Sequence, residues 1–359
     1  METPINMRSG YVVVGVDTHK HIHVAAVMDS VAGILDTLTI PTDTPGFAKL
    51  TAWAHTYGQI LVFGIEGTGS YGAGLTSYLR RQGHRVVEAG RPDRRLRRMN
   101  GKSDTLDAEN AARAALAGMA TATPKTADGT VEMLRQLKVV HGTAVKDRSA
   151  AMITLKAMLV HADDQLRAST NKMTQIKLAR HLSRLRPSDL TTVAGTLRYS
   201  LRALAGRWLF LDAQIKEIES KINALVTEYR PALLEQFGIG ADTAAEILIV
   251  VGDNPERIKS EAAFAKLAGI SPIPTGSGQT SGRHRINHGG HRQLNAAIYR
   301  TVIVRMQHHE PTKAYVTRRT AEGKSKRDII RCLKRYVIRE VYHLVKAQPA
   351  ADIPLQKVS

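Results

Sequence analysis

The sequence predicts an α/β domain followed by all-α regions, and three observations carry that reading. The run YVVVGVDTHK, Tyr11 to Lys20, places four β-branched or aromatic residues in succession before a carboxylate, the pattern of a strand covered on both faces with Asp17 at its tip. Further short apolar runs alternate with amphipathic stretches as far as Glu88. Beyond Thr130 the pattern is helical, and Leu201, Leu204, Trp208, Leu211, Ile215, Ile218, Ile222 and Leu225 recur in alternating steps of three and four, a sustained heptad seam. The boundaries read from these changes are 1–125 for the α/β domain, 126–230 for a helical coiled-coil spacer and 231–359 for a mainly helical C-terminal domain.

Taken in order, His23 to Asp29 and Ile34 to Pro41 read as two strands joined through the turn-prone Ser30 to Gly33, so an antiparallel meander opens the domain. Thr44 to Gly58 reads as a helix with Thr44 as N-cap and Pro45 in its first turn. Ile60 to Ile65 is a fourth strand, ending in the carboxylate of Glu66. Gly69 to Gln82 is amphipathic, with Leu75, Tyr78 and Leu79 at helical spacing, and His84 to Glu88 is a fifth strand. The order βββαβα with one further β is that of ribonuclease H-like folds. Thr130 to Ala162 reads as a long helix, Asp163 to Asp189 as a basic loop with short helices. The heptad helix either folds back on the long helix or pairs with another protomer. After Pro231, FGIGADTAAEILIVVGD has the look of a helix-hairpin-helix, whose turn amides receive a phosphate, or of a plain helical corner.

Composition narrows the partners. Lys and Arg number 51 against 32 Asp and Glu, a net charge of +19 with a pI near 10.1, which points to a polyanion and most often to nucleic acid. The single cysteine, Cys332, excludes an internal disulfide framework and a cysteine-rich zinc site. The opening residues lack the apolar core of a signal peptide and no run is long enough to span a bilayer, so a cytoplasmic protein without a membrane partner is expected.

Two further features bear on chemistry in the α/β domain. In RPDRRLRRMNGKSD, Arg91, Arg94, Arg95, Arg97, Arg98 and Lys102 crowd together, repelling one another unless an anion is near; a phosphate-backbone contact is the preferred reading over a solvated face. Next, Ser103 caps a helix beginning Asp104, Thr105, Leu106, Asp107. Asp104 and Asp107, three apart, share one face, although acidic residues in a first turn also suit the helix dipole. Asp17, Glu66, Asp104 and Asp107 together form a set that would repel itself without a cation and that suits hard divalent ions such as Mg2+ or Mn2+. Two such ions can steady the attacking and leaving oxygens of phosphodiester cleavage. A rival motif overlaps: Gly67, Gly69 and Gly72 form GxGxxG, with Glu88 at nearly the spacing of a dinucleotide fingerprint. It sits on the fourth strand, and Glu66 would lie beside the pyrophosphate.

In the C-terminal region, Pro272, Pro274, Gly276 and Gly278 break regular structure around Ser277, with Ser281 a second serine of the same loop. Arg283 and Arg285 follow, with His284, His288 and His291, before a helix near Arg292. Glycines let a backbone approach a phosphodiester, and arginines can neutralise charge on it. The histidines suit phosphate contact or solvation, since no acidic or cysteine partner accompanies them.

Together VGVDTHK, IEGTGSYGAGLTSYLRRQGHRVVEA, KSDTLDAENAARAAL and LAGISPIPTGSGQTSGRHRINHGGHRQLNAAIY resemble the IS110-type transposases of bacterial insertion sequences. The resemblance implies a RuvC-like DEDD domain with Asp17, Glu66, Asp104 and Asp107 as the metal-binding set, a coiled-coil spacer, and a transposase domain with Ser277 as nucleophile. It further implies recombination of donor and target DNA under a structured guide RNA, by a homodimer or homotetramer. Asn287 and His288 stand where the family pattern has its lysine region. A stand-alone RuvC-like nuclease, a structural nucleic-acid binder and a dinucleotide-dependent oxidoreductase are the alternative readings.

Overall fold

The computed structural model describes residues 10–90, 103–186, 189–276, 284–285, 287 and 289–347, and the chain forms two compact units. The first comprises Met1–Gly129 together with Val251–Lys259, the second Thr130–Val250 and Ser260–Ser359.

The first unit is built on a five-stranded sheet in the order β3-β2-β1-β4-β5. Its strands are β1 (Tyr11–Thr18), β2 (Ile22–Met28), β3 (Ile34–Pro41), β4 (Gln59–Glu66) and β5 (Val86–Ala89). The meander β1-β2-β3 is antiparallel, and β4 and β5 join it in parallel beyond β1. β1 is thus the central strand, which is why its side chains alternate between two buried faces with no polar residue before Asp17. On one face Val12, Val14, Val16, Phe63 and Ile65 pack under α1 (Thr44–His55) and α2 (Ala73–Arg81). On the other, Val13, Val62 and Val87 meet α3 (Asp104–Leu116) through Ala112 and Ala115.

Among the boundaries that differ from the sequence reading are two helix starts. Asp43, not Thr44, caps α1, its carboxylate accepting from the Gly46 amide at 2.8 Å; both residues suit a cap, and Pro45 fits equally at the second helical position. α2 begins only at Ala73, because Gly67 takes a positive φ of 72° and a turn holds the chain through Gly72.

The second unit is helical. α4 (Thr130–Leu159) and α7 (Val193–Tyr229) run antiparallel, with α5 (Asp164–Thr170) and α6 (Gln175–Leu182) between them in sequence. Ala144 packs with Leu211 and Ile215, while Met152 and Leu155 lie with Leu201, Ala205 and Trp208. The heptad seam therefore buries itself against α4 of the same chain, with Ala205 and Val226 more deeply buried than Leu204 and Leu225. Then follow α8 (Pro231–Leu234), α9 (Ala241–Val251), α10 (Glu261–Leu267), a ribbon of β6 (Ile273–Pro274) against β7 (His284–Arg285), α11 (Arg292–His308), α12 (Glu310–Ala321) and α13 (Lys326–Lys346). Among the described residues no helix is long and apolar enough to cross a membrane.

Candidate metal centre

The site begins with two strand ends. Val16 on β1 pairs with Ile65 on β4, so Asp17 and Glu66 leave neighbouring parallel strands at the same sheet edge, where α/β folds carry their chemistry. The Thr18 hydroxyl donates to the Glu66 carbonyl at 2.8 Å and ties the two ends together.

The third element arrives through a floor of small residues. Gly15 and Gly64 are register partners on β1 and β4, and a Cβ on Gly15 would lie 2.0 Å from the Ala108 carbonyl oxygen, one on Gly64 2.6 Å from that of Ala111. α3 meets this floor with Ala108, Ala111, Ala112 and Ala115, all buried, so its backbone lies almost on the strands. Ser103 caps it, accepting from the Leu106 amide at 3.1 Å. That close approach brings the first turn of α3, with Asp104 and Asp107, to the tip of β1.

A cleft of about 510 Å³ results, lined among others by Asp17, His19, Glu66, Glu88 and Asp107, with no lysine or arginine among its described lining residues. Asp17 is 8% exposed and Asp107 5%. Burial pushes the Asp17 carboxyl above the usual carboxylate range, His19 pulls it down, and the neighbouring Asp107 and Asp104 raise it again. His19 bridges the group, its Nε2 3.1 Å from Asp17 Oδ2 and 3.3 Å from Asp104 Oδ1. One atom from each of Asp17, His19 and Asp104 falls within 4.8 Å of the others. Carboxylate oxygens with one imidazole, Asp17 buried and His19 and Asp104 partly exposed, are a donor set that fits a divalent metal ion.

Two residues of the cleft carry roles that spacing did not reveal. His19 was read only as part of the polar end of β1, and its bridge depends on where α3 begins. Glu88, at the spacing of the dinucleotide fingerprint, instead lines this cleft beside the backbone amides of Gly67 and Thr68, in the turn that follows Glu66. Burial pushes its carboxyl up, those two amides oppose this, Glu66 adds to the rise, and Arg257 draws it down. With Asp17, Glu66 and Asp107 in the same cleft, a pyrophosphate at the glycine turn would face several carboxylates. The dinucleotide reading has no support in this geometry.

None of the remaining sequence candidates is among the described residues that line the cleft. Arg94, Arg95, Arg97, Arg98, Lys102, Ser277 and Arg283 fall outside the described residues. Arg285 is exposed on β7 in the second unit. His291, read as a phosphate contact or solvated, caps α11 by accepting from the Leu294 amide.

Comparison with known proteins adds two family matches. Residues 14–162 match a family model described as a transposase, of the DEDD type named for IS110. Residues 230–317 match a second, described as the transposase IS116/IS110/IS902 family. Among curated proteins, the chain is 29% identical over 154 residues to the insertion element IS110 uncharacterized 43.6 kDa protein of Streptomyces coelicolor, covering 42% of this chain and 38% of that protein. It is 28% identical over 134 residues to the insertion element IS900 uncharacterized 42 kDa protein of Mycobacterium paratuberculosis, covering 37% and 34%. Over 145 residues it is 28% identical to the pilin gene-inverting protein of Moraxella lacunata, covering 40% and 44%. The alignments therefore span between 34% and 44% of each relative.

Proposed function

Because this chain belongs to the IS110-type transposase family, we propose that it is a DNA recombinase of an insertion sequence that cuts and rejoins donor and target strands. The observation that carries the reading is the cleft in which Asp17, Glu66 and Asp107 meet, with Asp104 reached through His19 and no lysine or arginine among the described lining residues. On this reading the first unit is a ribonuclease H/RuvC-like domain, in keeping with its strand order. Asp17, Glu66, Asp104 and Asp107 are its ligands for Mg2+ or Mn2+. Such ions, when bound, supply Lewis-acid stabilisation of phosphodiester oxygens.

The chain's own residues supply position and charge. Glu88 lies in the cleft beside the Gly67 and Thr68 amides, in the turn that carries the chain on from Glu66. His19, between Asp17 and Asp104, separates two carboxylates that would otherwise repel. Ser277 is the nucleophile: its Oγ forms a bond to a strand phosphorus, the ester bond from that phosphorus to the adjoining sugar oxygen breaks, and the hydroxyl proton passes to the departing oxygen. The support for Ser277 is its place between Gly276 and Gly278 with Arg283 and Arg285 following, a setting that admits a phosphodiester and offsets its charge. A structured guide RNA and a homodimeric or homotetrameric assembly complete the proposal, on family membership and the net charge of +19.

The test is strand exchange on a supplied donor and target with three variants. Asp17→Asn and Asp104→Asn should abolish exchange and retain DNA binding. Ser277→Ala should abolish both exchange and a covalent adduct mapped to that residue's peptide. Cleavage retained in Ser277→Ala would leave a carboxylate-only nuclease, and an adduct on Ser281 would refute the assignment of the nucleophile.

A further inference from the structure

Within the second unit a cavity of about 460 Å³ opens between the turn after α10, the ribbon β6-β7, and α11 and α13. Its charge is one-sided. Arg285, Arg331, Lys334 and Arg335 line it, and no acidic residue does so among the described residues. Acidic partners lie outside it and leave positive charge uncompensated. Arg331 bonds Asp328 at 2.9 Å. Arg335 Nη2 bonds Glu261 at 2.6 Å, but Arg339 takes the other oxygen of the same carboxylate at 3.1 Å. Arg335 Nη1 is buried with no hydrogen-bond partner among the described residues.

Lys334 is the most telling residue. Its ammonium donates to Asn295 Oδ1 at 2.7 Å and lies 5.3 Å from the centre of the Tyr299 ring. Burial holds its pKa below the ordinary lysine value, with no carboxylate contributing. A half-buried ammonium held by an amide oxygen and a ring face, next to an arginine nitrogen without an acceptor, is costly unless an anion enters. Several donors on one wall suit the multiple oxygens of a phosphate. The volume exceeds that of a lone phosphate, and Ile270 and Pro272 add apolar lining for a sugar.

We infer that this cavity binds a phosphodiester of a DNA strand, with Lys334, Arg335 and Arg331 on the phosphate oxygens. The choice of DNA rests on the function proposed above; the anion chemistry rests on the cavity alone. Asn295 and Asn287 spend their amides on the backbone of Lys266, Ala268 and Gly289 and on Lys334. The two amide side chains of the lining are therefore already engaged within the protein.

The test uses the full chain and a short labelled DNA duplex, with affinity measured across a salt series. Each lost phosphate contact should flatten the slope of log affinity against log salt by about one. Lys334→Gln and Arg331→Gln should each do so. Lys313→Gln, whose lysine pairs with Glu310 on α12, should not. Arg335→Gln also loses the Glu261 pair, so Lys334→Gln with an unchanged melting temperature is the deciding variant, and an unaltered slope there overturns the inference. Amine-reactive footprinting supplies the second arm. Protection of Lys334 by the duplex supports the assignment, whereas protection by inorganic phosphate but not by DNA overturns it. Loss of exchange in Asp17→Asn reports on the carboxylate chemistry and the slope of Lys334→Gln on this cavity, so failure of the one and failure of the other are separately visible.

Discussion

At the scale of single residues, Glu88 and His23 make different predictions. Glu88 lines the cleft beside Glu66 and the Gly67 and Thr68 amides, so on the proposed reading Glu88→Ala should lower metal-dependent strand cleavage by about 10- to 100-fold, the usual range for residues next to the ligands of a metal. Glu88→Gln keeps an acceptor oxygen and should restore most of it; a metal titration of cleavage rate separates the two variants. His23 is fully buried on β2, stacked on Phe47 with ring centres 6.0 Å apart, and its Nε2 has no partner among the described residues. Burial depresses its pKa below the ordinary value. The unfolded chain therefore takes up a proton at His23 below about pH 6.5 while the folded chain does not. Stability should fall as pH drops through that point, by at most about 1.4 kcal/mol per pH unit for one proton, until the folded-state pKa is reached. His84, also depressed by burial, adds in the same sense. Urea unfolding over a pH series should show the slope, and His23→Phe should reduce it.

Among elements, the contact between α3 and the sheet decides whether a site exists at all. Gly15→Ala would thrust a Cβ to 2.0 Å from the Ala108 carbonyl, and backbone on both sides leaves no side chain to yield. A loss of about 1–3 kcal/mol is expected from such overpacking, read by urea unfolding, and strand cleavage should fall further than stability does because Asp104 and Asp107 move with the helix. This element also shows what could be read in the sequence. The apolar runs with carboxylates at their ends, and Ser103 before Asp104, were legible because strand ends and caps are local. The glycine and alanine floor was not, since Gly15 and Ala108 acquire meaning only once they meet in space. Glu88 was noticed for the wrong reason: its spacing matched a fingerprint, but its partners are set by the pairing of β4 with β5. The seam of α7 was visible from periodicity, yet its partner could be chosen only by the fold, which sets it against α4.

For the whole molecule, the net charge of +19 makes binding to nucleic acid steeply dependent on salt. If six to ten phosphates are contacted, affinity should drop by about three to five decades between 50 and 200 mM salt, as fluorescence anisotropy can measure; a flat response would contradict a backbone-directed interface. One feature of chain connectivity bears on how the molecule is made. Val251–Lys259 belongs to the first unit. There Asn254 donates to the Pro124 carbonyl at 2.9 Å and accepts from the Thr126 amide at 3.3 Å, and Arg257 stands near Glu88. During synthesis the sheet and its carboxylates emerge first, but the segment carrying Asn254 and Arg257 leaves the ribosome only after more than a hundred further residues. Closing so long a loop is slow, so a nascent chain halted at Gly129 would hold the sheet while lacking the Asn254 contacts to Pro124 and Thr126, which form only after α4 to α9 have been translated.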